Sequence, residues 1–179
     1  MPQVIANILK YLVVMESKNK PITLIGMPGC GKSTISIFLG KKLKKTVYDL
    51  DRCIEEYLEM SIPEIFESKG EDYFRKTETF CLEKLLQKPN VIIATGGGAV
   101  LRNSALLKSK STCVYVNRKI SSILKTLGTK RPLSKSKEDL EKLHAERAEL
   151  YKSTAHYTVI NNYSSKKTAE KLVRLLENL

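Results

Sequence analysis

The chain has 179 residues, 42% of them hydrophobic, which is enough for one well-formed core and too little for several. Its four cysteines, Cys30, Cys53, Cys81 and Cys113, are widely spaced with no C-x-x-C pair, and only His144 and His156 could join them. That excludes a disulfide framework or a zinc module and favours reduced thiols in a cytoplasmic protein. The net charge of +12 rests largely on lysine runs such as Lys41-Lys42, Lys44-Lys45 and Lys166-Lys167. With no interleaved aromatics and no nucleic-acid-binding motif, these read as a solvated face that draws in small anions, so no nucleic-acid partner is expected.

In chain order, residues 1–20 are expected to form an N-terminal extension whose role the pattern does not define. Its apolar run, Val4 to Met15, is broken by Asn7 and Lys10, is too short to span a bilayer, and lacks a basic leader or small-residue cleavage site. No membrane anchor or secretory signal is expected there, and Met15 is an alternative start. Residues 21–179 read as a single domain. Strands are predicted at 22–25 (ITLI), 46–48 (TVY), 91–95 (VIIAT), 112–116 (TCVYV) and 157–160 (YTVI). Helices are predicted at 32–43, 51–59, 71–87, 119–126, 137–150 and 166–178. Strand and helix in alternation predict a three-layer α/β fold, with a central parallel sheet of about five strands, helices on both faces, and ligands beyond the carboxyl ends of the strands.

Four stretches are thereby placed at one rim: the glycine-rich loop after the first strand, Asp49-Leu50-Asp51 after the second, Gly96-Gly97-Gly98 after the third, and the segment around Arg131. Gly26 to Ser33 fits G-x-x-x-x-G-K-[ST], flanked by a strand and a helix as a phosphate loop requires. Its backbone amides and the following helix N-terminus would surround a polyphosphate, from Gly29, Cys30 and Gly31 through Lys32 and Ser33 to Thr34. Lys32 would reach the β- and γ-phosphates of ATP, and the Ser33 hydroxyl would ligate Mg²⁺. The later apolar strand ends in Gly96-Gly97-Gly98 and supplies no carboxylate, so the acids come earlier, at Asp49 and Asp51. If the strand conformation persists, a spacing of two points both side chains the same way. One would support the Mg²⁺ hydration shell while the other accepts a proton from a substrate hydroxyl; a turn and helix cap is the alternative for the pair. Three successive glycines let the backbone approach a ligand closely, or else form a plain flexible turn. Among only seven arginines, Arg75, Arg131 and Arg147 stand out as planar donors for carboxylate or phosphate, with a surface ion pair the alternative for each.

Taken together and in order, these stretches resemble the shikimate kinase family from about Ile22 to the C-terminus. The segments that carry the resemblance are GMPGCGKST (26–34), YDLD (48–51), FRKTE (74–78), ATGGGAV (94–100), KRPL (130–133) and RAELY (147–151). The resemblance implies a P-loop kinase fold with a mobile lid at about 126–142. It also implies transfer of the ATP γ-phosphoryl group to the 3-hydroxyl of shikimate, on the way to chorismate and the aromatic amino acids. By the same resemblance, Asp51 would bind the ring hydroxyls and act as the base, and Asp49 would support Mg²⁺ through water. Arg75 and Arg147 would hold the shikimate carboxylate, the Gly97 amide would meet a ring hydroxyl, and Arg131 would close over the phosphates.

Some positions depart from the family pattern. Lys125 stands near where the family commonly has an arginine that stacks on adenine, the lid reads RPLS, and Ser164 lies where some members have an arginine. Each departure bears on nucleotide affinity or lid motion. No pattern marks an oligomer, and a monomer is expected. A gluconate-type or nucleoside monophosphate kinase on the same scaffold, or a non-catalytic nucleotide sensor, are the competing readings; Asp51, Arg75, Arg147 and Arg131 favour the shikimate kinase.

Overall fold

Three of the five strands are apolar along almost their whole length and are buried: β1 (Ile22–Ile25), β3 (Val91–Ala94) and β4 (Thr112–Asn117). Continuous burial of this kind is what a parallel strand covered on both faces requires. The flanking strands β2 (Thr46–Asp49) and β5 (Tyr157–Ile160) are more exposed, and β5 alternates between half-buried and exposed residues. The computed structural model describes residues 20–127, 136–162 and 164–177. The 1–20 extension apart from Lys20, and residues 128–135 of the expected lid with Arg131 among them, lie outside the described residues.

All strand pairs are parallel, in the order β2-β3-β1-β4-β5. The register sets Leu24 opposite both Ala94 and Val114, so β1 runs down the middle of the sheet and the phosphate loop leaves its centre. Seven helices connect the strands among the described residues: α1 (Lys32–Leu43), α2 (Leu50–Leu58), α3 (Ile62–Leu86), α4 (Val100–Lys110), α5 (Ile120–Leu127), α6 (Lys137–Thr154) and α7 (Ser165–Glu177). Because β1 connects leftward to β2 while β2, β3 and β4 connect rightward, right-handed crossovers put α1 on one face and α2 to α6 on the other. The packing agrees: α1 lies against α7, and α4 against α6. None of the described helices is long and apolar enough to cross a membrane.

All five predicted strands are present, with end shifts of one residue at most. The helices hold three differences, the simplest being that α6 runs to Thr154, four residues beyond the predicted end at 150. Helix α3 begins at Ile62, earlier than the predicted 71, behind a capping box in which Ser61 N–H donates to Glu64 Oε2 at 2.8 Å. It is broken at Gly70, whose φ of 80° and ψ of 170° only glycine adopts freely, so its 62–69 turns and the predicted 71–87 segment are two helices meeting at a kink. Helix α4 was not expected. Its inward stripe is Val100, Asn103 and Leu107, and the polar member hides the apolar period. Asn103 satisfies itself in the core, accepting from Thr79 Oγ1 at 2.8 Å and donating to the Ala99 carbonyl at 3.1 Å.

Candidate active site

The loop from Gly26 to Ser33 takes positive φ at Gly26, Gly29 and Gly31, so its tight path depends on residues without a Cβ. It delivers the chain into α1 with Gly31 as N-cap and no acidic residue in the first helical turn, leaving the helix N-terminus suited to an anion. Lys32 folds back over the loop and donates from Nζ to the Gly26 carbonyl at 2.8 Å and the Met27 carbonyl at 3.0 Å. Only 7% of it is exposed. The ammonium is therefore held directly over the cradle.

Beside the loop, Ser33 Oγ donates to Asp49 Oδ2 at 2.7 Å, so the two residues expected near a cation meet although they come from α1 and β2. Asp49 is the N-cap of α2, yet its side chain makes no capping bond. The cap alternative thus fails for Asp49, which faces the loop. Asp51 departs from the expected geometry. The strand stops at Asp49 and Asp51 sits in the first turn of α2, so helical backbone rather than strand alternation sets its direction. Burial, and then the Asp49 and Glu55 charges, raise the Asp51 pKa, against the opposing charges of Lys32 and Arg75.

The three glycines have ordinary φ, and the reason for them is space. A Cβ on Gly96 would lie 2.6 Å from Asp51 Oδ1, one on Gly97 2.6 Å from Pro28 Cδ, and one on Gly98 2.5 Å from Arg75 Nη2. The turn is thus the floor on which the acid, the phosphate loop and the first arginine converge, not a plain flexible link. The second arginine joins from α6: Arg147 Nη1 donates to the Gly97 carbonyl at 3.1 Å, and the Tyr151 hydroxyl donates to the same oxygen at 2.5 Å. Tyr151 is fully buried and stacks on Tyr115, ring centroids 5.1 Å apart, which fixes α6 against β4.

Arg75 is 9% exposed and clamped by two acids: Nη1 donates to Glu78 Oε2 at 2.9 Å, and Nε and Nη2 donate to Glu71 Oε1 at 3.2 and 3.1 Å. Glu78 is wholly buried, which raises its pKa against the opposing Arg75 charge, and its Oε1 has no partner. The Arg147 Nε is also buried without a partner.

Of the expected residues, the described rim therefore brings together Gly29, Cys30, Gly31, Lys32, Ser33, Thr34, Asp49, Asp51, Arg75, Gly97 and Arg147; Arg131 lies outside the described residues. Four residues of the rim escaped the sequence reading. Glu78 and Tyr151 sit three and four residues beyond Arg75 and Arg147, on the same helix faces, a spacing that could have found them. Arg118 and Asn161 hold the phosphate loop from the ends of β4 and β5, and only their place after a strand marked them.

A phosphate loop at the centre of a five-stranded parallel sheet, with an acid and two arginines across a glycine floor, defines a P-loop kinase. A family model described as shikimate kinase matches residues 28–177. A shikimate kinase of Clostridium botulinum (strain Eklund 17B / Type B) is 39% identical over 165 residues, covering 90% of this chain and 99% of the relative. One from Nitrosospira multiformis is 41% identical over 145 residues, covering 77% and 74%. Among solved structures, the shikimate kinase from Acinetobacter baumannii in complex with shikimate superposes with a TM-score of 0.85 at 32% identity, covering 89% of this chain and 94% of that one. A deoxyadenosine kinase from M. mycoides, at 18% identity and a TM-score of 0.60, shares the fold alone. The chain belongs to the shikimate kinase family.

Proposed function

We propose that this chain transfers the γ-phosphoryl group of ATP to the 3-hydroxyl of shikimate, giving shikimate 3-phosphate and ADP, a step towards chorismate and the aromatic amino acids. The observation that carries this reading is the convergence of Asp51, Arg75 and Arg147 on one glycine floor beside the phosphate loop. A small polyhydroxy acid offers one carboxylate and several hydroxyls. Two planar guanidinium groups complement the first, and a carboxylate with a glycine amide complements the second.

In this mechanism Asp51 accepts the proton of the attacking hydroxyl. A carboxylate whose pKa is raised is a stronger base when ionised, and the Asp51 shift runs in that direction. Lys32 exchanges the Gly26 and Met27 carbonyls for phosphate oxygens, and the loop amides hold the rest of the polyphosphate. Arg75 and Arg147 orient the acceptor through its carboxylate, the Gly97 amide meets a ring hydroxyl, and Arg131 covers the phosphates. Alignment and charge neutralisation of this kind are most of what phosphoryl transfer asks of a protein.

Ser33 and Asp49 offer hard oxygens in contact with each other, the donor type Mg²⁺ prefers, with Asp49 acting through water. No cluster of three or more metal-ligating side chains exists among the described residues, which accords with an ion that would take most of its ligands from water and substrate phosphate. Bound there, Mg²⁺ would neutralise charge on the phosphates. A cytoplasmic location, supported by four cysteines that are all free thiols, and a monomeric state are part of the same proposal.

The test is an ADP-release assay with Mg²⁺-ATP against shikimate, gluconate and nucleoside monophosphates in parallel. Turnover with shikimate alone is expected. Turnover with another acceptor, or ATP binding without turnover on any of them, would overturn the assignment.

A further inference from the structure

Two side chains fasten the phosphate loop from outside, at the carboxyl ends of neighbouring strands. Arg118, the first residue after β4, donates from Nη1 to the Gly29 carbonyl at 3.1 Å. Asn161, the first after β5, donates from Nδ2 to the Cys30 carbonyl at 2.8 Å, and its Oδ1 accepts from Thr168 Oγ1 at 3.0 Å. The strand ends are tied to each other, because Lys119 N–H donates to Asn162 Oδ1 at 3.0 Å. Asn161 is 2% exposed and lies so close under Gly31 that a Cβ there would run into its Nδ2.

A trans peptide sends its carbonyl and the following N–H in opposite directions. Holding the Gly29 and Cys30 carbonyls outward therefore turns the Cys30 and Gly31 N–H groups away from Arg118 and Asn161. The Cys30 N–H closes the loop's own turn onto the Met27 carbonyl at 3.2 Å, the oxygen that also receives Lys32. The loop's amide directions thus depend on two side chains that lie 89 and 131 residues from the carbonyls they hold. Packing alone does not account for the guanidinium, since the Arg118 Nε is buried with no partner, a cost an alkyl chain would not bear.

We propose that Arg118 and Asn161 are positioning residues for the nucleotide phosphates: by tethering the Gly29 carbonyl Arg118 fixes the turn that the Cys30 N–H closes, and by tethering the Cys30 carbonyl Asn161 presets the Gly31 N–H as a donor. The inference rests on the ATP-binding reading of that loop. Lysine at position 118 keeps the charge but loses the rigid planar fork, so it restores the function only in part.

The experiment is calorimetric titration of Mg-ADP, and separately of shikimate, into the full chain and its Arg118→Met, Arg118→Lys and Asn161→Ser variants, alongside melting temperatures and steady-state kinetics. Arg118→Met is expected to weaken Mg-ADP binding about tenfold, the scale of one charge-assisted hydrogen bond. Shikimate binding and the melting temperature should hold, Arg118→Lys should fall between, and the ATP KM should rise with little change in kcat. Unchanged Mg-ADP affinity in Arg118→Met, or equal losses for both ligands together with a lower melting temperature, would overturn the proposal. Should Arg118→Met not fold, Asn161→Ser and Arg118→Lys carry the same criteria. If the unaltered chain binds shikimate but no Mg-ADP, the nucleotide reading itself has failed and the proposal falls with it.

Discussion

Asp51 works against its own ionisation: burial and the neighbouring Asp49 charge raise its pKa. A group whose pKa is raised by folding lends stability while protonated and withdraws it as pH rises through the folded value. Its ionised form is thus a destabilising element, one that the proposed mechanism keeps for chemistry. Asp51→Asn should lower kcat by at least ~10²-fold, the scale of a lost general base, while leaving Mg-ADP affinity nearly intact and increasing stability by about 1 kcal/mol. Kinetics, titration and a thermal melt check the three parts; near-normal turnover would remove Asp51 from the chemistry. If Asp51 is the base, kcat/KM should fall on the acid side of the pH profile as it protonates. Arg147 invites a different test, because its guanidinium donates to the Gly97 carbonyl and is proposed to hold the acceptor carboxylate. Arg147→Lys should raise the shikimate KM roughly 10- to 100-fold, as one bidentate contact is lost, with the ATP KM little changed. Equal loss for both substrates would point to a folding defect.

The glycine turn after β3 shows how one element can serve several partners. Because its three residues have ordinary φ, alanine would be tolerated by the backbone and refused by the neighbours. At Gly98 the obstacle is the guanidinium of Arg75, which Glu71 and Glu78 hold from behind, so the arginine cannot swing away freely. Gly98→Ala should therefore cost shikimate affinity by more than about tenfold, with a stability loss of about 1–2 kcal/mol from overpacking. Measuring both in one variant separates displacement of Arg75 from general unfolding. Gly70 is the opposite case. A Cβ there meets nothing within 4 Å, yet φ is 80°, so Gly70→Ala should lose about 1–3 kcal/mol from backbone strain alone. A denaturant melt with an unchanged m-value would show this, and activity at low temperature should survive.

The molecule as a whole couples binding to stability. In the proposed mechanism nucleotide would meet the centre of the sheet and the acceptor would meet α2, α3, α6 and the glycine turn, so each ligand would tie together a different part of one domain. At about 100 times its Kd, either ligand should stabilise the fold by ~2.7 kcal/mol, a rise in melting temperature of roughly 5 to 10 °C for a chain of this length. Scanning fluorimetry with shikimate, gluconate and nucleoside monophosphates would read the acceptor preference independently of turnover. A shift with gluconate and none with shikimate would contradict the proposed acceptor.

Much of this was legible in the sequence. The phosphate loop depends on local backbone conformations that Gly26, Gly29 and Gly31 permit, and these are written in consecutive residues. The strands announce themselves because parallel strands buried on both faces must be apolar throughout, as VIIA and ITLI are. Helix α4 was not legible, because Asn103 holds a core position through hydrogen bonds that a periodicity of apolar residues does not register. Nor was the start of α3, since Gly70 breaks the period across a kink. The sequence by itself determined the α/β order, the nucleotide loop and the identity of the acids and arginines. Only the tertiary structure decided that Asp51 lies against Gly96, Arg75 against Gly98 and Arg147 on the Gly97 carbonyl, and that Arg118 and Asn161 hold the loop. The physical reason is range: a loop conformation is settled among neighbours in the chain, whereas these contacts join residues that only the register of the sheet and the packing of helices on it bring within reach.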